Sequence, residues 1–326
     1  MRYINTEGIP LAVAVFLASD FYDYNDDPYT ISATTLLKPL RQIILSGRVP
    51  QEDAHVDLAS MAASRIGTAI HDGFERSWTT NHKKALEALG YPKIVIERIK
   101  VNPDPYEVDE DTIPVYLEQR LEKCIDPWKV TGKFDFIGDG KVQDVKSTSV
   151  YTYINQTNAN KYILQGSIYR WLDPKRITAD ELDIHYIFTD WKPTMAKADP
   201  GYPKERILTQ TYPLMSLEET DHWVRNKLAM IDKYWKAPEE EIPQCNDEDL
   251  WRSEPVFKYY KNPDKLTRST KNFDNKHDAM MRFIQDGSIG LVKEVPGQVT
   301  ACKYCSAFPI CTQKDQLILN GELILA

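Results

Sequence analysis

An Asp-Gly pair, Asp139-Gly140, constrains the fold more than any other feature of the sequence, because apolar and polar residues alternate on both sides of it. Both central residues of a type I′ turn need positive φ, so such a pair is the strongest short-range signal for a two-residue β-hairpin. A turn at this position pairs Phe136 with Gln143. The sequence therefore predicts two antiparallel strands with a defined register.

The same register predicts that like charges face each other, with Asp135 opposite Asp144 and Lys133 opposite Lys146. Directly opposed residues have Cβ atoms about 4.5–5.5 Å apart, and like charges there destabilise a plain sheet. Two converging carboxylates suit a divalent cation such as Mg²⁺ or Mn²⁺. A neighbouring lysine can orient a water or stabilise charge on a phosphate. A solvent-exposed face whose charges pair diagonally explains the pattern equally well.

The order of periodic segments predicts an α/β or α+β fold with one central mixed sheet flanked by helices. An apolar run over 9–18 predicts a short buried helix. Apolar residues at helical spacing predict helices over 56–89, 155–172 and 217–235, and strand-like runs cover 94–101, 115–125, 130–137, 142–145 and 182–191. We expect three parts: a helical leader over 1–56, a core over 57–236, and a C-terminal segment over 237–326.

Length and charge narrow the function. The chain has 326 residues and a net charge of −8, which argues against a histone-like nucleic-acid binder but allows a local basic groove. Its apolar run of ten residues is shorter than the about 20 that cross a bilayer. The odd number of cysteines, 5, fits a reducing compartment better than a secreted disulfide scaffold. We therefore expect a cytoplasmic protein (host cytoplasm if phage-encoded) with no membrane partner.

Four short motifs follow one another in a fixed order: Gly-x-x-x-His ending at His71, Gly-x-x-Asp ending at Asp135, Asp-x-Lys over 144–146, and Gln-x-x-x-Tyr over 165–169. A helical histidine or a Gln/Tyr pair alone is weak evidence. Together, over about a third of the chain, they resemble the PD-(D/E)XK nuclease superfamily in its RecB-like branch. The proline that names the superfamily is absent, because Phe134 precedes Asp135.

The resemblance implies a restriction-endonuclease-like core and a role for each matching residue. His71, Asp135 and Asp144 would bind Mg²⁺ or Mn²⁺ with the help of the Val145 carbonyl. Lys146 would be the catalytic lysine. The helix residues Gln165 and Tyr169 would position the substrate backbone or the residues around the metal.

Three cysteines form a C-x₂-C-x₅-C run near the C-terminus: Cys302, Cys305 and Cys311. This spacing is typical of a zinc or iron–sulfur site. The same run closes the RecB-like nucleases that carry a [4Fe–4S] cluster, AddB and the CRISPR adaptation nucleases among them. Their fourth cysteine precedes the histidine motif, where this chain has none. We expect Cys245 rather than Cys124 to be the fourth ligand, because a loop reaches other elements more readily than a strand. Zinc remains an alternative to the cluster.

A lysine-rich stretch lies between the cysteines. Over 256–276 it carries six basic residues, among them Lys258 and Arg268, against two acidic ones, with Tyr259, Tyr260 and Phe273 interleaved. Basic side chains track phosphates and aromatic rings stack on unpaired bases, so the stretch suits a DNA contact. An ordinary solvated loop has the same composition.

These features indicate a metal-dependent DNase. Within that class we expect an exonuclease that acts on DNA ends or single strands in phage or mobile-element replication or recombination. A structure-specific endonuclease is the alternative within the class. The rival from another class is a nucleic-acid-binding protein that keeps the fold without hydrolysis. An iron–sulfur redox protein is less favoured, since no glycine-rich cofactor-binding motif is present.

Overall fold

The structure is a computed structural model, and it describes residues 2–20, 25, 27–50 and 55–325. Eleven α-helices fall within this part of the chain: α1 (Leu11–Ala18), α2 (Ala33–Leu36), α3 (Leu40–Ser46), α4 (Ala62–Ala88), α5 (Lys93–Arg98), α6 (Val150–Ile154), α7 (Ala159–Leu172), α8 (Pro193–Ala198), α9 (Leu217–Tyr234), α10 (Lys276–Gln285) and α11 (Thr312–Leu319). None of these described helices is both long and apolar enough to cross a membrane.

The described strands number fourteen: β1 (Arg2–Ile4), β2 (Thr30–Ser32), β3 (His55–Asp57), β4 (Ile99–Val101), β5 (Ile113–Leu117), β6 (Arg120–Ile125), β7 (Trp128–Lys133), β8 (Phe136–Gly138), β9 (Lys141–Thr148), β10 (Glu181–Phe188), β11 (Ile207–Pro213), β12 (Val256–Tyr260), β13 (Lys271–Phe273) and β14 (Leu291–Val295). Helices and mixed sheets together confirm the predicted α+β class.

The chain divides into two compact units. The first unit comprises Met1–Lys38 and His55–Ala229. Its main sheet has six strands in the order β11-β10-β9-β8-β5-β4, with parallel pairs β9/β10 and β4/β5 and antiparallel pairs elsewhere. A second sheet in this unit has the order β2-β7-β6, and β1 pairs with β3. Helix α4 packs Phe74 and Trp78 against Phe136 of the main sheet.

The second unit comprises Pro39–Ala54 and Met230–Ala326. It contains a three-stranded antiparallel sheet in the order β13-β12-β14, against which α10 packs. A separate apolar cluster forms around Leu250, Val299, Leu317 and Leu323, and Cys245 and Cys302 pack against it. Both cysteines therefore belong to the interior of this unit.

The hairpin prediction is confirmed where it concerns β8 and β9. Phe136 pairs with Gln143, and Asp139 and Gly140 have φ of 53° and 68°. The prediction that Lys133 opposes Lys146 is wrong, because the chain bends after β7 and Lys133 pairs instead with Arg120 in the second sheet. The ladder between β8 and β9 therefore ends at Phe136.

Two other predictions of secondary structure are corrected. Residues 94–101 begin as helix α5, not as a strand, because Pro92 (φ −59°) is preorganised for a helix start and Lys93 pairs with Glu97 one turn on. The run over 9–18 does form helix α1, but Leu17 is its single buried residue. Apolar residues surround this helix on all sides, so packing one face leaves Leu11 79% exposed.

Candidate metal centre and its surroundings

Three side chains from separate elements converge in the first unit: His71 of α4, Glu118 in the turn after β5, and Asp135 in the bend before β8. One nitrogen or oxygen from each lies within 4.8 Å of the other two. His71 Nδ1 lies 3.1 Å from Asp135 Oδ2. An imidazole and two carboxylates are ligands that divalent cations such as Mn²⁺ accept, so this group could hold a metal ion.

Hydrogen bonds keep Asp135 ionised in spite of its burial. Burial alone would raise the pKa of this carboxyl, but hydrogen bonds with Asp144 and His71 hold it well below its usual value. The backbone N–H of Val145 also donates to Asp135 Oδ2 at 3.3 Å. The hydrogen bond to Asp135 in turn raises the pKa of His71. A metal ion would take the place of the proton that His71 and Asp135 share.

Asp144 and Lys146 form a buried ion pair on β9, with Lys146 Nζ 2.6 Å from Asp144 Oδ2. Asp144 is 5% exposed, and burial raises its pKa above the usual value. Burial would lower the pKa of Lys146, but the charges of Asp144 and Asp135 raise it instead. Lys146 therefore stays protonated beside the His71/Glu118/Asp135 group.

The Gln/Tyr pair on α7 binds the backbone of β7. Gln165 Nε2 donates to the Tyr169 hydroxyl at 2.7 Å, and that hydroxyl donates to the Lys133 carbonyl at 2.8 Å. Burial raises the pKa of Tyr169 further above its usual value, so the hydroxyl remains a donor. Tyr169 therefore fixes the end of β7, two residues before Asp135, and is occupied by a protein acceptor.

Gly132 lets α7 approach β7 closely. A Cβ built on Gly132 would lie 2.8 Å from Leu172 Cδ1 and 2.9 Å from Tyr169 Cε1. We expect Gly132→Ala to lower the free energy of unfolding by about 1–3 kcal/mol, the usual cost of overpacking. The matched control is Gly73→Ala within α4, where no described atom lies within 4 Å of the added Cβ. This control should stabilise the helix by about 0.5–1 kcal/mol. Chemical denaturation measures both, and equal effects of the two variants would contradict the packing argument.

Sequence reasoning missed Glu118. This residue lies in a turn of φ 53° with no motif around it, and its backbone N–H donates to the Asp135 carbonyl at 3.3 Å. Burial raises the pKa of Glu118, while Lys133 Nζ lies 2.5 Å from its carboxylate and opposes that rise. The one signal for it in the sequence is an acidic residue flanking a predicted strand, which is too common to be specific.

A cavity of about 1050 Å³ lies over this group within the first unit. Its lining includes His71, Glu118, Asp135 and Lys146, together with the basic residues Arg65 and Arg120. The volume is at the upper end of what encloses a drug-sized ligand, so a segment of one or a few nucleotides fits.

The four cysteines predicted as ligands all lie, half-buried, in the second unit: Cys245, Cys302, Cys305 and Cys311. Burial, followed by nearby negative charge that includes the other three thiolates, raises the pKa of Cys245 to about 12. Burial and two neighbouring cysteines raise that of Cys302 to about 11. Thiols held protonated in this way are ligands that a cation would deprotonate on binding. Cys124, in contrast, is exposed on β6 of the first unit.

The four sulfur atoms do not form one tight group. Among the described residues, no three cysteine sulfurs lie within 4.8 Å of one another. Arg41 Nε donates to Cys311 Sγ at 3.3 Å.

Two aromatic residues of the lysine-rich stretch, Tyr259 and Tyr260, do not face solvent as base stacking requires. Tyr259 is 0% and Tyr260 6% exposed, and the Tyr259 hydroxyl donates to the Ile289 carbonyl at 2.9 Å. Both rings belong to the core of the second unit. Unpaired bases therefore cannot stack on Tyr259 or Tyr260. The basic residues Lys261, Lys265 and Arg268 of the same stretch are exposed.

Comparisons with known proteins give little further information. No family model matches the chain, and a search of curated proteins found no match. A solved structure described as SSO0001 is similar at a TM-score of 0.39 and 15% identity, covering 67% of this chain and 83% of its own. A phage-related exonuclease from Haemophilus somnus 129PT is similar at a TM-score of 0.26 and 15% identity, covering 49% and 80%. At these TM-scores neither likeness carries an argument about function.

Proposed function

We propose that this protein is a divalent-metal-dependent DNA nuclease of the RecB-like branch of the PD-(D/E)XK superfamily. The observation that carries the proposal is the meeting of His71, Glu118 and Asp135 in one cavity that is also lined by Lys146, the partner of the buried Asp144. Among the described residues, three carboxylates are brought together here with only two lysines, Lys133 and Lys146, to balance them, and a plain structural core has no use for such a group. Metal binding with phosphodiester hydrolysis explains why they are together.

In this proposal His71, Asp135 and Asp144 hold Mg²⁺ or Mn²⁺ with the Val145 carbonyl, and Glu118 adds a further oxygen ligand. A bound divalent cation would polarise the scissile phosphate and lower the pKa of a water. Lys146 keeps its proton and stabilises the negative charge that grows on the phosphate. Asp144 orients Lys146 through their 2.6 Å contact.

The remaining motif residues position this machinery and do not touch the reacting atoms. Tyr169 holds the Lys133 carbonyl at 2.8 Å and thereby fixes the chain that leads to Asp135. Gln165 orients the Tyr169 hydroxyl by donating to it at 2.7 Å. Their roles are thus to keep Asp135 in place relative to His71 and Asp144.

The reaction we favour is exonucleolytic digestion of DNA ends or single strands, in phage or mobile-element DNA replication or recombination. Its test is incubation of the protein with end-labelled linear and with circular DNA, each single- and double-stranded, in Mg²⁺ or Mn²⁺. We expect linear DNA to be degraded and circular DNA to persist.

The other outcomes of this assay decide between the rival functions. Cleavage of circular molecules would replace the exonuclease with an endonuclease. Binding without cleavage in either metal would instead identify a non-hydrolytic nucleic-acid-binding protein. The matching assay without divalent metal is the control, because the proposed reaction depends on the cation.

We further propose that Cys245, Cys302, Cys305 and Cys311 hold a [4Fe–4S] cluster, with zinc as the alternative. The support is the C-x₂-C-x₅-C spacing, the partial burial of these thiols in one unit, and the influence of the other three on the pKa of Cys245. Such a cluster would connect the end of the chain to the segment before β12. It has no step in the hydrolysis.

A further inference from the structure

The lysines of β12 and β14 lie on one face of the sheet in the second unit. Lys258 is in the central strand, and its Cα partner in β14 is Lys293. Helix α10 covers the other face, where Tyr259 contacts the ring of Phe283 on that helix. Because successive side chains of a strand point to opposite faces, Lys258 and Lys293 point away from α10.

Two ammonium groups in direct opposition are unfavourable in a sheet that serves only for packing. Directly opposed residues have Cβ atoms about 4.5–5.5 Å apart, which is inside the screening length of about 8 Å in physiological salt. The ion pairs described in this unit are made by other residues, such as Arg252, Arg282 and Lys314. Among the described residues neither Lys258 nor Lys293 has an anionic partner.

Further cations adjoin this pair. The loop between β12 and β13 carries Lys261, Lys265 and Arg268, all exposed, against Asp264 alone. This local excess of positive charge stands in a chain whose net charge is −8. The net negative charge already favours solubility, so solubility does not explain a cluster of positive charge on this acidic protein.

We infer that this lysine face, defined by Lys258 and Lys293 with the loop residues Lys261, Lys265 and Arg268, binds the phosphodiester backbone of the DNA substrate. The inference rests on the proposed nuclease function. A phosphate between the two opposed ammonium groups offsets their mutual repulsion. Its binding free energy is therefore more favourable there than beside an isolated lysine. Since Tyr259 and Tyr260 are buried, recognition is of backbone charge and is independent of base sequence.

The face acts as a second binding site carried on the same chain as the metal centre. Tethering raises the effective concentration of DNA at one site once the other has bound. The lysine face should therefore lower KM without changing kcat. Its contribution to affinity should also be strongly salt-dependent, as counterion release requires.

The test is the affinity of Lys258→Gln, Lys293→Gln and the double variant for a labelled oligothymidylate, measured by fluorescence anisotropy in EDTA so that nothing is cleaved. Each phosphate contact lowers log K by about 0.7–0.9 per decade of salt. We expect each single variant to lose about tenfold in DNA affinity at 50 mM salt and about fourfold at 200 mM, which is the affinity that one phosphate contact contributes at those salt concentrations. The double variant should lose about 100-fold at 50 mM.

The matched control is Lys271→Gln, which removes the same charge from the same sheet. Lys271 pairs with Tyr259 and lies over the Phe273 ring, so it points to the face that α10 covers. We expect its affinity to stay within about twofold of the wild type. An equal loss in Lys271→Gln would show a general charge effect and overturn the inference, as would full affinity in the double variant.

Cleavage assays separate this inference from the proposed function. We expect the double variant to cleave at the wild-type kcat, with KM raised by the factor lost in affinity. A lower kcat with KM unchanged would contradict a pure binding role. A wild-type protein that binds DNA but cleaves none would refute the nuclease and leave the lysine face standing. A wild type that cleaves and a double variant that binds equally well would refute the lysine face alone.

Discussion

Asp135→Asn is expected to abolish DNA cleavage in Mg²⁺, lowering kcat by about 10³-fold or more, while DNA affinity measured without metal is retained. A metal ion supplies several kcal/mol of transition-state stabilisation, and each 1.4 kcal/mol is a factor of ten in rate. Asp135 connects the site, because it contacts His71 and the Asp144 carboxyl and accepts a hydrogen bond from the Val145 backbone N–H. An amide at this position loses the charge that holds the cation.

The matched control for this substitution lies in the same hairpin. Asp139→Asn makes the same chemical change at the exposed turn, where φ is 53° and asparagine is well tolerated. We expect it to leave kcat, metal affinity and DNA affinity unchanged. Titration calorimetry with Mn²⁺ should show weaker binding in Asp135→Asn alone. Near-wild-type turnover of Asp135→Asn would refute the nuclease proposal.

Glu118→Gln distinguishes the group found in the structure from the set that the resemblance implied. Its carboxylate lies near His71 and Asp135, and it also pairs with Lys133. If Glu118 is a metal ligand, the variant requires more Mg²⁺ for half-maximal cleavage but keeps most of its kcat at saturation. An unchanged Mg²⁺ requirement would restrict Glu118 to its ion pair with Lys133.

Local signals made the hairpin predictable. The Asp139-Gly140 turn sets the pairing of Phe136 with Gln143 through backbone φ alone, and both residues have the required positive values. The same reasoning did not predict the structure on the N-terminal side of Phe136, where the ladder was expected to continue to Lys133. There the backbone carbonyl of Asp135 accepts from Glu118, a contact between distant parts of the sequence. The ladder between β8 and β9 ends at Phe136, and Lys133 pairs with Arg120 in the second sheet.

The lysine-rich stretch shows a second limit of sequence reasoning. Composition alone suggested that lysines and aromatics act together on DNA. In the structure the alternation of β12 puts Tyr259 on the face that α10 covers and Lys258 on the other face, which the buried Tyr260 shares. Strand periodicity would have predicted this separation, but the opposition of Lys258 and Lys293 depends on a pairing that no local pattern reveals.

Cys245→Ser is expected to remove most of the bound iron or zinc and to expose the segment after residue 237 to protease. Cys245 is already held near the end of the chain, because its N–H donates to Gln313 Oε1 and its carbonyl accepts from Gln313 Nε2, both at 2.9 Å. Those backbone contacts survive in serine, so loss of the thiolate is the main change. A cross-link that closes the loop between Cys245 and Cys302 stabilises the folded chain by roughly 4 kcal/mol in the chain-entropy model. Losing it should therefore raise the sensitivity of this segment to protease.

Cys124→Ser provides the control, since it makes the same replacement at an exposed position on β6. Metal content and the rate of limited proteolysis should match the wild type in this variant. Anaerobically purified wild-type protein should be brown and contain about four irons if the site holds a cubane cluster. Colourless protein that contains one zinc would show that the site holds zinc instead of a cluster, and that the metal still cross-links Cys245 to the end of the chain. If the wild type is metal-free with all five thiols reactive, the cysteines hold no metal. Cys245 and Cys302 then only pack against Leu250 and its neighbours, and the loss of Cys245 changes neither measurement.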